Sequence, residues 1–112
     1  MKDSLAVLLV TKDKEAIMHM AFMYAKNSKL RSWWGKVSLI VWGPSGPAII
    51  GDADLQKELK ALKDAGVELL ACKACSDRYG ISPALSALGI EVKYMGEPLT
   101  QLLKSDVSVL TV

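Results

Sequence analysis

Cys72 and Cys75 are the residues of this chain whose type and spacing most clearly suggest chemistry. They are the two cysteines among the 112 residues, and both lie in the stretch LLACKACSDRYGIS, residues 69–82. A thiolate is a nucleophile and a soft metal ligand, and a C-x-x-C pair can also close a disulfide. The stretch therefore suggests four kinds of site: a redox pair, half of a zinc site, an anion-binding phosphatase loop or a sulfur carrier.

Two of these four sites lack residues that they need. A structural zinc ion takes four ligands, whereas the chain offers two cysteines and one histidine, so such a site would have to be shared between subunits. Cys72 and Arg78 have the C-x5-R spacing of a phosphatase loop. CKACSDR, however, contains no glycine that would let the backbone wrap a phosphate, and Asp77 would repel the anion. We expect neither a metal nor an organic cofactor.

A redox pair remains a secondary alternative. Thioredoxin-like proteins use the C-x-x-C spacing, but their pair follows the first strand of the motif in an aromatic-glycine-proline context. That context is absent around Cys72 and Cys75. The inert alternative is that Cys72, Cys75 or both are buried packing residues, because free cysteines are among the most buried residues.

Apolar runs alternate with helical patterns along the chain and predict how the cysteines are positioned. We predict strands over residues 5–11, 37–42, 67–71, 90–94 and 107–111. We predict helices from a cap at Asp13 to about Ala25, and over residues 54–66, 82–89 and 96–105, with GPSGP (43–47) as a plain turn. This alternation indicates a three-layer α/β/α sandwich with a mainly parallel five-stranded sheet, flavodoxin-like, in one domain over residues 1–112. The strand order is not readable.

Reactive groups in such sheets gather at the carboxyl ends of the strands. Cys72 follows the third strand, and a helical turn over residues 73–79 would place it at a helix N-terminus, where free N–H groups and the helix dipole stabilise a thiolate. Lys73 and Arg78 would act in the same direction, and Asp77 would oppose them. An anion could also be held by residues of the glycine-rich turn after the second strand: Gly43, Ser45 and Gly46.

The chain resembles the DsrE/DsrF-like family, small α/β proteins that include the sulfur-relay subunits DsrE and TusD. The resemblance rests on residues 21–45, on AGVELLACKACSDRYGI and on YMGEPLTQLLKSDVSVLTV. In the relay members, the cysteine that follows the third strand carries sulfur as a persulfide, and this cysteine corresponds to Cys72. Cys75 has no counterpart there, because relay members commonly have a small apolar residue at that position. A second thiol could resolve the persulfide or form a disulfide.

The resemblance implies a sulfurtransferase-like sulfur carrier with sulfur donor and acceptor proteins as partners. Two alternatives stay open: a non-catalytic oligomeric subunit of the same family, and a small redox protein that cycles Cys72 and Cys75. Substituting Cys75 by serine separates carriage from redox cycling.

Composition limits the partners of the chain. Hydrophobic residues make up 51% of it, which is rich for a small monomer, so we expect a homo-oligomer (dimer, trimer or hexamer). The methionine-rich first helix and Trp33-Trp34 could belong to its interface. A net charge of +2 is too balanced for a nucleic-acid-binding surface. No apolar run approaches a membrane span and no export signal is visible, so we expect a cytoplasmic protein without membrane contact.

Overall fold

The computed structural model describes residues 2–112 and places a five-stranded sheet within them. The strands are Ser4–Leu9 (β1), Lys36–Val41 (β2), Glu68–Cys72 (β3), Glu91–Lys93 (β4) and Ser108–Thr111 (β5). Their order is β4-β3-β2-β1-β5, and every neighbouring pair is parallel. In β2, five consecutive residues are buried, as expected for a central parallel strand covered on both faces. The predicted α/β/α sandwich is confirmed.

The helices cover the two faces of the sheet unequally. Their bounds are Lys14–Ala16 (α1), Met23–Leu30 (α2), Ser45–Ile50 (α3), Ala53–Asp64 (α4), Lys73–Tyr79 (α5), Ser82–Ala87 (α6) and Gly96–Leu103 (α7). The connections from β1 to β4 step in one direction along the sheet, so right-handed crossovers place their helices on the same face. The connection from β4 to β5 returns past the other strands and places α7 on the opposite face.

Each face has its own apolar core. The larger core joins alternate strand residues such as Val7 and Leu39 to the helices before β4. The smaller core lies on the α7 side and contains Ala6, Ile40, Leu70, Cys72 and Met95, with Leu102 of α7 packed against it. Cys72 therefore belongs to the thinner of the two cores, at the carboxyl edge of the sheet.

The first helical region is longer than predicted. A π-helical segment, Ile17–Phe22, joins α1 to α2, so helical backbone continues to Leu30, five residues beyond the expected end near Ala25. Asp13 caps its start as predicted, accepting a hydrogen bond from the Glu15 N–H. The apolar pattern weakens after Ala25, where Lys26 and Asn27 follow, although Ser28 is fully buried. Periodicity alone therefore placed the end of the helix too early.

Two local predictions are corrected. The segment after β2 is not a plain turn, because α3 begins at Ser45 within GPSGP. Ser82 does not cap α6; Ile81 occupies the N-cap position, and the Ser82 hydroxyl donates to Asp77 instead. By contrast α4 is as predicted, with Leu55, Leu59 and Leu62 buried.

Within residues 2–112, none of the helices combines the length and the apolar character that a membrane crossing requires.

Candidate functional site

Cys72 is at once the last residue of β3 and the N-cap of α5. Its extended backbone, with φ −72° and ψ 110°, turns the chain from the strand directly into the helix. The helical turn predicted over residues 73–79 is present as α5, which ends at Gly80 in the left-handed conformation. Strand and helix together fix Cys72 and Cys75 relative to each other, because no loop separates them.

The two thiols are in direct contact. The Sγ atoms of Cys75 and Cys72 lie 3.1 Å apart, within hydrogen-bond distance, and both cysteines are free. A disulfide bond has a length of about 2.05 Å, so the two sulfurs would have to approach each other by about 1 Å to form one. The arrangement is that of a reduced dithiol whose members can react with each other after a small movement.

The two thiols differ in exposure. Only 4% of the surface of Cys72 is accessible to solvent, whereas Cys75 is partly exposed. Burial raises the pKa of the Cys72 thiol above its ordinary value, and the contact with Cys75 acts in the same direction. The backbone N–H groups of Cys75 and Ala74 favour the thiolate but are outweighed. The sequence predicts a lowered pKa for this thiol; the structure gives a raised one, because desolvation exceeds the effect of the helix start.

A narrow depression adjoins the cysteine pair. Gly43, Gly46 and Tyr79 line it beside the two cysteines, together with Val41, Ser76, Ile81 and Leu85, and it leaves no room for a water-sized molecule. Gly43 adopts a φ of +60°, which favours glycine, and a Cβ at Gly46 would lie 3.0 Å from Ile81 Cδ1. Both glycines of the turn after β2 thus line the same depression as the two cysteines.

Ser45 connects the ends of two strands. Its fully buried hydroxyl lies 2.7 Å from the carbonyl of Leu9 and 2.9 Å from that of Trp42, and it accepts a hydrogen bond from the Trp42 N–H. The hydroxyl is thus hydrogen-bonded to backbone groups at the end of β1 and in the segment after β2. The side chain therefore contributes to the placement of the glycine-rich turn.

The charged residues of α5 are engaged with one another. Lys73 Nζ lies 2.6 Å from an Asp77 carboxylate oxygen, and this pairing raises the pKa of Lys73 and lowers that of Asp77. Lys73 Nζ also lies 5.4 Å from the centre of the Tyr94 ring. Arg78 is exposed in the last turn of α5, at the end of the helix opposite to Cys72.

A hydrogen-bond chain holds α5 against the start of α6. The Ser82 hydroxyl donates to Asp77 over 2.5 Å and lies 2.6 Å from the hydroxyl of Ser76, which is buried. Sequence reasoning missed this network and also missed Tyr79 and Ile81 as neighbours of the cysteines. The spacing of Ile81 and Leu85 at i and i+4 could have indicated an apolar surface directed at this site.

Within residues 2–112, no group of three or more histidine, cysteine or acidic residues is placed to hold an ion. His19 lies in the π-helical segment, and its Nε2 is 3.4 Å from a Glu15 carboxylate oxygen.

The DsrE/DsrF-like family matches residues 36–112, a stretch that runs from β2 to β5 and includes both cysteines. The chain belongs to this family. A solved structure described as a conserved protein of unknown function, BT1422 from Bacteroides thetaiotaomicron, is 36% identical, with a TM-score of 0.95 over 98% of this chain and 95% of that one. The ychN protein from E. coli shares the fold, with a TM-score of 0.69, 21% identity and full coverage of both chains. No match was found among curated proteins.

Proposed function

We propose that this DsrE/DsrF-like chain carries sulfur as a persulfide and that Cys72 is the carrying residue. The observation that supports the proposal is the position of Cys72 at the carboxyl end of β3, in contact with the Cys75 thiol at 3.1 Å. In open α/β sheets this edge is where ligands and reactive groups gather. The family resemblance implies that the cysteine at this place carries the transferred sulfur, and Cys75 is where this chain departs from the pattern common in the relay members.

The chemistry is an exchange in which no net oxidation occurs. The Cys72 thiolate attacks the outer sulfur of a donor persulfide, the S–S bond of the donor breaks, and the donor leaves as a thiolate that takes up a proton. The product is Cys72–S–SH. An acceptor thiolate then attacks the outer sulfur of this persulfide, and Cys72 leaves as the thiolate. Neither step needs a metal or an organic cofactor, and both make the chain a sulfurtransferase-like carrier between donor and acceptor proteins.

The burial of Cys72 sets conditions on this reaction. A thiol that is 4% exposed and has a raised pKa holds little thiolate at neutral pH, and the depression beside it has no room for an added sulfur. Loading therefore requires the first turn of α5 to move away from the turn after β2. We expect loading to be slow in the isolated chain, to accelerate with rising pH, and to accelerate further when a donor protein displaces the covering side chains.

The test is an intact-mass measurement after incubation with a low-molecular-weight persulfide. We expect the Cys75→Ser variant to gain the mass of one sulfur atom at Cys72, located by peptide mapping, and Cys72→Ser to gain none. Alkylation of all thiols before the incubation is the control for sulfur bound without a covalent bond. A Cys72→Ser variant that gains as much sulfur as Cys75→Ser would contradict the proposal, as would the absence of an adduct on both proteins.

A second candidate function is dithiol redox exchange between Cys72 and Cys75. The 3.1 Å contact between the two sulfurs favours it, because closing a disulfide needs only a small movement. In that function Cys75→Ser abolishes turnover with a disulfide substrate, whereas persulfide formation at Cys72 survives the same substitution. The two functions are therefore separated by one variant and two assays.

We also propose that the chain assembles as a homo-oligomer, either as a carrier or as a non-catalytic subunit. Three exposed apolar side chains, Met20, Met23 and Trp33, line one depression of about 200 Å³, which we call the methionine–tryptophan patch. Their exposed fractions are 42%, 47% and 55%. Exposed apolar side chains that share a concave surface are typical of a protein interface.

A further inference from the structure

We propose that Cys75 discharges the sulfur held on Cys72. Its thiolate attacks the inner sulfur of the Cys72 persulfide, the outer sulfur leaves as hydrosulfide, and a Cys72–Cys75 disulfide remains. This inference rests on the proposed function, since it needs a persulfide on Cys72. It adds a residue role and a second product, free sulfide, to the carrier chemistry.

The geometry places the attacking atom next to the inner sulfur. The inner sulfur of a persulfide on Cys72 is the Cys72 Sγ itself, which lies 3.1 Å from the Cys75 Sγ. The outer sulfur is one further bond, about 2 Å, beyond it. Cys72 caps α5 and Cys75 lies within its first turn, so the helical backbone holds the two sulfurs together. The attack therefore requires no loop closure and no partner.

The exposure of the two thiols also supports an attack by Cys75 on a persulfide held by Cys72. Cys75 is partly exposed to solvent, whereas Cys72 is 4% exposed. Exchange is faster when the leaving group is the weaker base. Hydrosulfide is a weaker base than an alkyl thiolate, and burial makes Cys72 a poorer leaving group still. Attack on the inner sulfur, which expels hydrosulfide, is thus favoured over attack on the outer sulfur, which would expel Cys72.

The atoms and electrons of the step balance. Cys72–S–SH and Cys75–SH give the Cys72–Cys75 disulfide and one molecule of hydrogen sulfide. The outer sulfur is reduced to sulfide, and the two cysteine sulfurs are oxidised to the disulfide. A dithiol or two low-molecular-weight thiols must then reduce the disulfide before the chain can load again. A protein acceptor competes with Cys75 for the outer sulfur, so Cys75 limits how long the sulfur stays bound.

The experiment compares discharge in the wild type with discharge in Cys75→Ser and Cys75→Ala. Each protein is loaded with a low-molecular-weight persulfide, freed of donor without reductant, and followed by intact mass and by a colorimetric assay of released sulfide. We expect the two variants to keep one added sulfur. The wild type should instead release about one sulfide per chain and become two hydrogens lighter than its reduced form, with a first-order rate constant that does not depend on protein concentration.

Three outcomes are decisive. Wild-type protein that keeps its added sulfur as long as Cys75→Ser overturns the inference but leaves carriage by Cys72 intact. A first-order rate constant for sulfide release that rises with protein concentration, or the appearance of disulfide-linked dimers, also overturns it, because the step is intramolecular. Absence of added sulfur on both Cys75 variants, together with absence of sulfide and disulfide from the wild type, contradicts the proposed function itself.

Discussion

Cys72 and Cys75 contact each other through their sulfur atoms at 3.1 Å, yet Cys72 is almost fully buried and Cys75 is partly exposed. The contact and the difference in exposure have the same origin. Cys72 still belongs to β3 and takes part in the core on the α7 side, while Cys75 lies in the first turn of α5, closer to the solvent. A reagent from solution therefore meets Cys75 before it meets Cys72.

The order of alkylation should follow this difference. We expect iodoacetamide at neutral pH to modify Cys75 faster than Cys72, because Cys75 is more accessible and Cys72 has a raised pKa. Peptide mapping at increasing reaction times measures both rates. The chain unfolded in urea is the control, in which the two rates should become similar. Faster modification of Cys72 in the folded chain would contradict this prediction.

The pH dependence of stability should report on the Cys72 thiol. A thiol whose pKa is higher in the folded chain than in the unfolded chain holds its proton longer when folded. Its contribution to the free energy of unfolding is complete below the unfolded pKa of about 8.5 and is lost as the pH rises from there through the folded pKa. Lysine and tyrosine also titrate in this range, so the comparison is with Cys72→Ser. We expect the melting temperature of the wild type to fall more steeply above this pH than that of the variant; equal slopes would contradict the prediction.

Two fully buried serines provide a matched test of hydrogen bonding. Ser45 contacts the carbonyls of Leu9 and Trp42, whereas the Ser28 hydroxyl has no hydrogen-bond partner within residues 2–112. We expect Ser45→Ala to lower the free energy of unfolding by about 1–3 kcal/mol, since it removes the hydrogen bonds of a buried hydroxyl with backbone groups of Leu9 and Trp42. Ser28→Ala should be neutral or stabilising. Urea unfolding measures both, and equal losses would show that the Ser45 contacts contribute nothing specific.

The strands and the position of the cysteines could be predicted from the sequence because continuous apolar runs and helix caps are local signals. Cys72 was expected at the end of the third strand, and the inward stripe of Leu55, Leu59 and Leu62 was expected in α4; both are observed. Local signals do not indicate which distant parts of the chain pack against each other. Cys72 shares its core with residues from other parts of the chain, among them Ile40 and Met95, and its burial raises its pKa.

Helix α3 also could not be predicted from local signals. The residues of GPSGP are typical of a turn, yet Ser45 and Gly46 are buried there, and Gly46 packs closely against Ile81 from a different part of the chain. A tertiary contact thus stabilises helical backbone that local propensity disfavours. The strand order also could not be predicted. β5 lies beside β1 at the edge of the sheet, and no local signal indicates that the connection through α7 returns the chain to that edge.

Gly46 should be intolerant of a larger side chain. A Cβ at this position would lie 3.0 Å from Ile81 Cδ1 and 3.8 Å from Val41 Cγ1, beside the cysteine pair. We expect Gly46→Leu to cost about 1–3 kcal/mol of unfolding free energy and to accelerate alkylation of Cys72 by pushing α6 outward. Gly96→Leu is the control, because within residues 2–112 no heavy atom beyond its chain neighbours and its own helix backbone lies within 4 Å of its Cβ position. If Gly46→Leu loses no more unfolding free energy than Gly96→Leu, the close approach at Gly46 has no energetic consequence.

The methionine–tryptophan patch should control assembly. Met23 and Trp33 are 47% and 55% exposed and line the same depression, so a lysine at either position would place an unpaired charge in an apolar contact. We expect light scattering at micromolar concentration to show an oligomer for the wild type and a shift towards monomer for Met23→Lys and Trp33→Lys. Leu103→Lys, at the end of α7, changes a more exposed apolar residue, 64% exposed, and should leave the mass unchanged. A monomeric wild type would contradict the homo-oligomer, and dissociation by Leu103→Lys alone would place the interface on the α7 face.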